Sequence, residues 1–236
     1  MRVACLITLL ALAGCASTPP EEPPRPFRFA VLPAPALGEP GSVDRLYEAL
    51  DRLSREAALD VCLVPGPLLA AGPEGDDPIL RDELAGALGS LPAPVVVALA
   101  GSDAPREAEL LDALERAFQG QPTGAKGHTK RGWQVVPVRP DGSAAPPPGG
   151  EAPPRRLLVI GRGVEPAGGA AGAVRVEVGE ALALEEAAGA ARLVLPPLAV
   201  DPGLLAVGVH EGGQLSLVLL PLSGDAPPAP PAVKTP

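Results

Sequence analysis

Aromatic residues and histidine are scarce in this chain of 236 residues, which contains one Trp, one Tyr, three Phe and two His. Hydrophobic residues still make up 46% of the sequence, so a buried core has to be built mainly from Leu, Val and Ala. Neither His128 nor His210 has a nucleophile motif beside it, which argues against a Ser/His/Asp hydrolase. Trp133 is expected to pack under the edge of the domain, with stacking on a ligand as the alternative.

The apolar stretch near the N-terminus is too short to span a bilayer. It runs from residue 3 to residue 13 behind Arg2 and precedes small residues, which is the layout of a secretion signal. The run Leu12-Ala13-Gly14-Cys15 resembles a lipobox, in which the thiol receives a diacylglycerol. We therefore expect a bacterial lipoprotein with a signal peptide at residues 1–14 and acyl chains such as palmitate on Cys15. The alternative is an ordinary signal peptide that contains a cysteine.

Cysteine becomes rarer still after such processing, because Cys5 is removed and Cys15 is acylated. Cys62 is then the only free thiol, and no intramolecular disulfide can form. It lies in the apolar run from Val61 to Val64, so we expect a small buried hydrophobic side chain.

Basic residues are fewer than acidic ones, with 19 Lys and Arg against 28 Asp and Glu, and the net charge is −9. This balance excludes nucleic acid as an expected partner. It should also oppose attraction to an anionic lipid surface, so membrane association is expected to come from the acyl chains. The residue after the lipidated cysteine is Ala16 and not the Asp that signals inner-membrane retention. The expected location is therefore the cell envelope, on the periplasmic face of the outer membrane.

Proline-rich segments bound the expected domain. Cys15 and the linker form residues 15–26, the domain covers residues 27–222, and a proline-rich disordered tail covers residues 223–236. A flexible insertion is expected at residues 140–154 inside the domain. At about 3.1 Å per residue, the linker reaches about 34 Å when fully extended.

The N-terminal half alternates short apolar strands with amphipathic helices three times. The expected strands are Phe29–Leu32, Val61–Val64 and Pro94–Leu99. The expected helices begin at Ser42 as N-cap, at Asp77-Pro78 and at Ala104. This alternation predicts a layered α/β domain with parallel strand pairing at its start.

The C-terminal half is predicted to consist mostly of strands, interrupted by one short helix near Glu180–Ala188. The last two strands, 204–209 and 214–220, have the pattern of a hairpin. The other expected strands are Trp133–Val138, Arg156–Ile160, Ala173–Val178 and Arg192–Leu195.

Three strand-to-helix segments carry a family resemblance. They read FAVLPAPALG (29–38), DVCLVPGPLL (60–69) and PVVVALAGSD (94–103). In this order they resemble the first three blocks of the calcineurin-like metallophosphoesterases, FxxxSDxHLG, DxVLxxGDLx and PVxxVxGNHD. The resemblance covers residues 27–118 and, more loosely, the C-terminal strands. It implies the layered α/β sandwich of that family.

The positions that supply metal ligands in that family hold other residues here. Ala34 and Ala36 stand for the Asp and His of the first block, Pro67 for the bridging Asp of the second, and Gly101 and Ser102 for the Asn and His of the third. The later GHxH block is not found. Two adjacent divalent cations need carboxylate, imidazole or amide donors, which Ala and Pro do not offer. We therefore expect no metal, no cofactor and no catalytic residue.

The scaffold positions of these blocks match, but of the Asn-His-Asp run in the third block only Asp103 remains, and with Ser102 it forms a candidate residual pocket. It stands before Ala104-Pro105, where its carboxylate is expected to cap a helix instead of binding a metal. Gly161-Arg162-Gly163 lacks the further glycine and lysine of a phosphate loop and is interpreted as a plain turn. The pocket mouth is expected to be apolar, lined by Pro33, Ala34, Pro35, Ala36, Pro65, Pro67 and Ala100–Ser102.

These features favour a membrane-anchored lipoprotein with a non-catalytic, metallophosphoesterase-like domain. Its expected role is to bind an envelope protein or peptide, or to serve as a structural component of the cell envelope. The alternative is a metal-dependent phosphatase or phosphodiesterase with an atypical active site.

Overall fold

The computed structural model describes residues 26–56, 58–118, 127–145, 155–167, 173–187, 190–199, 203–211 and 214–222. The expected signal peptide, Cys15, the linker up to residue 25, residues 146–154 of the expected insertion and the expected tail lie outside these residues. Within them the expected layered α/β fold is confirmed. Helices alternate with strands in the N-terminal half, and strands dominate the C-terminal half.

The helices all lie in the N-terminal half of the described chain. The strands are β1 Phe27–Val31, β2 Val61–Pro65, β3 Val95–Ala98, β4 His128–Lys130, β5 Trp133–Pro137, β6 Arg155–Ile160, β7 Ala173–Val178, β8 Ala183–Ala187, β9 Ala190–Leu195, β10 Leu204–Glu211 and β11 Gln214–Pro221. The α-helices are α1 Ser42–Ser54, α2 Pro78–Gly89 and α3 Glu107–Phe118, and two 3-10 helices occupy Pro73–Gly75 and Gly101–Arg106.

The helix starts follow the sequence signals only in part. The carboxylate of Asp77 accepts a hydrogen bond from the backbone N–H of Ile79 at 2.9 Å, which confirms the predicted cap of α2. The prediction for Ser42 was wrong. The N-cap of α1 is Gly41 with φ 74°, a left-handed conformation that suits glycine, and Ser42 is already the first helical residue.

Two further sequence predictions need correction. The predicted third helix starts earlier, as a 3-10 helix from Gly101, and becomes α-helical only at Glu107, after Pro105. The predicted helix at 180–188 is instead strand β8, antiparallel to β9. The edge of β9 that faces away from β7 offers backbone hydrogen-bond partners to a whole strand. Across the β8–β9 pair, the Arg192 guanidinium lies 3.3 Å from the Glu185 carboxylate.

The strands form two mixed sheets. The first has the order β11-β10-β1-β2-β3 and the second β4-β5-β6-β7-β9-β8. In the first sheet β1, β2 and β3 are parallel, and β10 is antiparallel to β1 and β11. The amino ends of β1–β3 therefore share one edge of the sheet, and their carboxyl ends share the opposite edge.

Two apolar interfaces hold the layers together. The helices cover one face of the first sheet, and the second sheet covers the other. Burial of each large apolar side chain contributes roughly 1.5–3 kcal/mol. The helix-facing core includes Leu46, Leu53, Leu84, Leu88, Leu110 and Leu114. The core between the sheets includes Phe27, Phe29, Leu63, Trp133, Leu157 and Leu193.

Candidate functional site

The loops after β1 and β2 run side by side at the carboxyl edge of the first sheet. The backbone N–H of Ala34 donates to the carbonyl oxygen of Pro65 at 2.8 Å, and that of Leu37 donates to Leu68 at 2.9 Å. The N–H of Ala70 returns a hydrogen bond to Leu37 at 2.8 Å. Main-chain hydrogen bonds therefore extend the parallel pairing of β1 and β2 beyond the strands, which fixes the relative position of the two loops.

The first-block positions are closed to solvent. Ala34 is 0% exposed and Ala36 is 2% exposed. Both residues have a left-handed backbone, with φ of 38° and 45°. This conformation is uncommon for alanine and is enriched in Asp, Asn and His. The loop thus presents two methyl groups on a backbone that Asp, Asn and His adopt more readily than alanine does.

The third loop packs directly against the second. A methyl group on Gly66 would lie 2.6 Å from a carboxylate oxygen of Asp103 and 2.9 Å from the backbone nitrogen of Ala100. Only glycine fits this approach. The following Pro67 is half-buried, whereas Gly101 and Ser102 are exposed at the start of the 3-10 helix.

Asp103 is fully buried and bonded to the main chain of both loops. Its carboxylate accepts hydrogen bonds from the N–H of Leu68 at 3.1 Å and from the N–H of Ala100 at 3.0 Å. Burial raises the pKa of Asp103, against the lowering effect of these N–H groups and of Arg106. The Asp103 carboxylate therefore caps a helix start, as predicted, but the helix is the 3-10 helix that begins at Gly101 and Asp103 is its third residue. Its bond to Leu68 also joins two loops.

A fourth loop, after β6 of the second sheet, contacts the same region. The N–H of Arg162 donates to the carbonyl of Gly66 at 2.9 Å, and the N–H of Gly101 donates to Arg162 at 3.3 Å. A methyl group on Gly161 would lie 2.3 Å from the carbonyl oxygen of Leu99. Residues 162 and 163 form a turn, as predicted.

The expected pocket mouth is largely packed inside the protein. Most of the residues predicted to line it are buried, namely Pro33, Ala34, Pro35, Ala36, Pro65 and Ala100. Pro67, Gly101 and Ser102 remain accessible, together with Arg162 and Gly163. This correction leaves a small surface at the carboxyl edge, because main-chain hydrogen bonds draw the loops together.

A small charged cavity of about 200 Å³ lies beside these loops, between the starts of α2 and α3. Its cations are already paired. The Arg106 guanidinium lies 3.1 Å from the Asp76 carboxylate and donates to the carbonyl of Ala70 at 3.1 Å. Arg81 forms an ion pair with Glu109. These contacts connect the two helices.

The two histidines lie away from these loops, near the amino edge of the sheet. His128 begins β4, and His210 is the register partner of Phe27 at the start of β1. Among the described residues, no three His, Cys, Asp or Glu side chains come together as a metal site would require. Cys62 is 0% exposed, and burial raises its pKa to about 12, as expected for a buried hydrophobic residue.

Trp133 is buried, as predicted. Its ring stacks on Phe27 at a centroid distance of 5.3 Å and meets the edge of His210 at 4.9 Å. The Arg155 guanidinium lies 6.0 Å from the ring centre.

Sequence reasoning missed a charged group at the amino edge. Asp60 is 8% exposed, and its carboxylate accepts hydrogen bonds from the N–H of Arg28 at 2.9 Å and from Nε of Arg131 at 2.8 Å. The available signal was an acidic residue directly before an apolar strand, with Lys130-Arg131 in a later hairpin turn. The proximity of Asp60 and Arg131 depends on how the two sheets pack against each other, which the sequence does not specify.

Solved structures share this fold. The crystal structure of TT1561 of Thermus thermophilus is similar with a TM-score of 0.59 and 13% identity, covering 82% of this chain and 98% of that chain. A second crystal structure is similar with a TM-score of 0.53 and 11% identity, covering 84% of this chain and 100% of that chain. No family model and no curated protein matches the chain. At these identities the likeness shows the fold alone.

No helix in the described part of the chain is both long and apolar enough to cross a membrane.

Proposed function

We propose that this chain is a lipoprotein anchored through Cys15, with a non-catalytic, metallophosphoesterase-like domain that acts as a binding or structural module of the cell envelope. One observation carries the proposal. The family's ligand positions in the first loop hold Ala34 and Ala36, whose methyl groups are buried and offer no donor. The remaining acidic residue, Asp103, accepts hydrogen bonds from main-chain N–H groups of two loops.

The point where the linker joins the domain gives this proposal a direction. Pro26 leads into β1 at the amino edge of the first sheet, whereas the candidate site lies at the carboxyl edge. With a lipid on Cys15, the amino edge faces the bilayer and the surface around Pro67, Ser102 and Arg162 faces away. A protein or peptide partner in the periplasm would meet that outer surface.

Metal content and hydrolysis test the non-catalytic role. We expect the purified mature chain to contain no stoichiometric manganese, iron or zinc by elemental analysis. We also expect no metal-dependent hydrolysis of a phosphomonoester or a phosphodiester with added Mn²⁺. Asp103→Asn is the control, because genuine family-type turnover should fall in this variant while a contaminant's activity should not. Stoichiometric metal, or turnover that Asp103→Asn abolishes, would support the alternative of an active phosphoesterase.

Acylation tests the anchor independently. Cells that express the full chain with labelled palmitate should yield a labelled, membrane-bound protein. Cys15→Ser should abolish the label, whereas Cys62→Ser should retain it because that thiol is buried. A labelled Cys15→Ser variant, or an unlabelled wild type, would contradict the anchor.

Crosslinking in the intact envelope then separates a binding role from an inert structural one. A photoreactive residue at position 102 samples the outer surface, and one at exposed Asp51 in α1 serves as the control. A specific adduct from position 102 alone supports partner binding, and no adduct from position 102 counts against it.

A further inference from the structure

The amino edge of the domain contains a depression of about 430 Å³ with an unusual charge. Its polar lining consists of Arg28, Asp60, His128, Lys130 and Arg131. Three permanent cations thus surround one carboxylate, in a chain whose net charge is −9. Cavities of this size are large enough for a small charged ligand.

The carboxylate of Asp60, the acidic residue in the depression, already accepts hydrogen bonds from within the protein. Its two carboxylate oxygens accept hydrogen bonds from the backbone N–H of Arg28 and from Nε of Arg131, so Asp60 positions the Arg131 guanidinium and leaves that of Arg28 uncovered. The Arg28 guanidinium lies 4.0 Å from the carboxylate of Glu56, which is beyond hydrogen-bond distance. Lys130 makes no ion pair within the described ranges.

Two buried nitrogen atoms in this group lack partners among the residues that the structure describes. These are Nε of Arg28 and Nε2 of His128. Buried polar nitrogens are nearly always hydrogen-bonded, so each such atom calls for a partner, and Nε–H of Arg28 calls for an acceptor. Burial and the nearby Lys130 lower the pKa of His128, against the opposing effect of Asp60. An anion bound in the depression would accept a hydrogen bond from Nε of Arg28 and would counteract the lowering of the His128 pKa.

We propose that this depression binds the phosphate group of a ligand, through Arg28, Lys130 and Arg131, at the edge of the domain where the linker enters. Guanidinium and ammonium groups donate hydrogen bonds that phosphate oxygens accept. The group can come from a free phosphate ester or from a phospholipid headgroup. Pro26 itself lines the depression, so the linker from Cys15, which spans about 34 Å when fully extended, joins the domain beside the site. The headgroup source rests on the proposed anchor, whereas the phosphate site itself does not.

A soluble ligand tests the site directly. The mature chain with Cys15→Ser is titrated with glycerol phosphate, and the two imidazole rings are followed by NMR across pH. We expect the pKa of His128 to rise because a neighbouring anion stabilises the imidazolium, while His210 reports any general effect. Arg28→Gln and Lys130→Gln should each weaken binding about tenfold, since each removes a charge-assisted contact. Arg139→Gln removes a cation beyond the carboxyl end of β5 and should change nothing.

Vesicles distinguish the source of the phosphate. The same unacylated chain is floated with phosphatidylglycerol vesicles and with phosphatidylcholine vesicles. Binding to phosphatidylglycerol that Arg28→Gln and Lys130→Gln reduce identifies a headgroup site. Binding to glycerol phosphate without flotation identifies a soluble ligand. Neither measurement reads palmitate or metal, so failure here is distinct from failure of the proposed function.

Two results overturn the proposal. The first is absence of binding in both arms, or binding that neither Arg28→Gln nor Lys130→Gln weakens although circular dichroism shows that both variants fold. The second concerns Glu21 and Glu22, which precede Pro26 by a few residues. If the phosphate ligand binds only after Glu21→Gln and Glu22→Gln, the depression takes the chain's own carboxylates and not a phosphate in the native protein.

Discussion

The carboxylate of Asp103 accepts a hydrogen bond from the backbone N–H of Leu68 at 3.1 Å, although the two residues belong to loops of different strands. The same carboxylate accepts from Ala100 in its own loop. The Asp103 side chain therefore connects two loops structurally.

Loss of this connection should destabilise the domain. We expect Asp103→Ala to lower the free energy of unfolding by about 3 kcal/mol, because it leaves buried N–H groups without an acceptor. Urea unfolding followed by circular dichroism measures the effect. Ser102→Ala, at an exposed neighbouring position, is the matched control and should change stability by less than about 0.5 kcal/mol. Equal effects of the two variants would contradict the structural role.

Asp103 should also make stability depend on pH in a defined direction. Its pKa is raised in the folded state, so the folded protein holds this proton to a higher pH than the unfolded chain does. The stabilising contribution is therefore complete below the unfolded pKa and is lost as the pH rises through the folded pKa. Asp103→Asn should lack this loss. The difference in unfolding free energy between wild type and Asp103→Asn, measured from acid to neutral pH, should change in favour of the variant as the pH rises. A constant difference would refute this.

Cys62 should be unreactive until the domain unfolds. The side chain is buried, and its pKa of about 12 leaves almost no thiolate at neutral pH. With Cys15→Ser in the mature chain, a thiol reagent should therefore label one group per molecule in denaturant and almost none in native buffer. Rapid native labelling would show that β2 opens readily.

Glycine at position 208 should be required by the packing between the sheets. A methyl group there would lie 2.2 Å from the ring of Phe29. Gly208→Ala should lower the unfolding free energy by about 1–3 kcal/mol through overpacking. Gly86→Ala is the matched control. Nothing lies within 4 Å of its added methyl group, and in the middle of α2 alanine should stabilise by up to about 1 kcal/mol. Thermal unfolding compares the two.

Local patterns predicted most of the fold but not the contacts between distant segments. The three strand-helix units were predictable because Leu46, Leu50 and Leu53 repeat with the helical period next to short apolar runs. Strand β8 was missed because its residues form helices readily and only the open edge of β9 makes a strand favourable. Ser42 was misassigned because the left-handed turn at Gly41 takes the capping position.

The candidate site was predictable in its residues but not in its shape. The resemblance placed Ala34, Ala36 and Asp103 in loops at one edge, and the structure brings these loops together. The closure of the pocket mouth was not predictable, because it depends on main-chain hydrogen bonds between loops. The cationic depression was missed for a different reason, because Arg28 and Arg131 meet through Asp60 only where the two sheets pack together.

The left-handed backbone at Ala36 leads to a final prediction. Left-handed geometry costs an alanine roughly 1–2 kcal/mol, whereas glycine adopts it freely. Ala36→Gly should therefore be neutral or should stabilise the domain by up to about 1 kcal/mol, once the greater freedom of the unfolded glycine chain is subtracted. Ala30→Gly is the matched control, because Ala30 is equally buried but lies in β1 with an extended backbone. Ala30→Gly should destabilise the domain by about 1–2 kcal/mol.

Urea unfolding of both variants measures the difference. Equal losses would mean that the loop holds no strain at Ala36, whereas the expected contrast would show that the left-handed backbone strains this alanine.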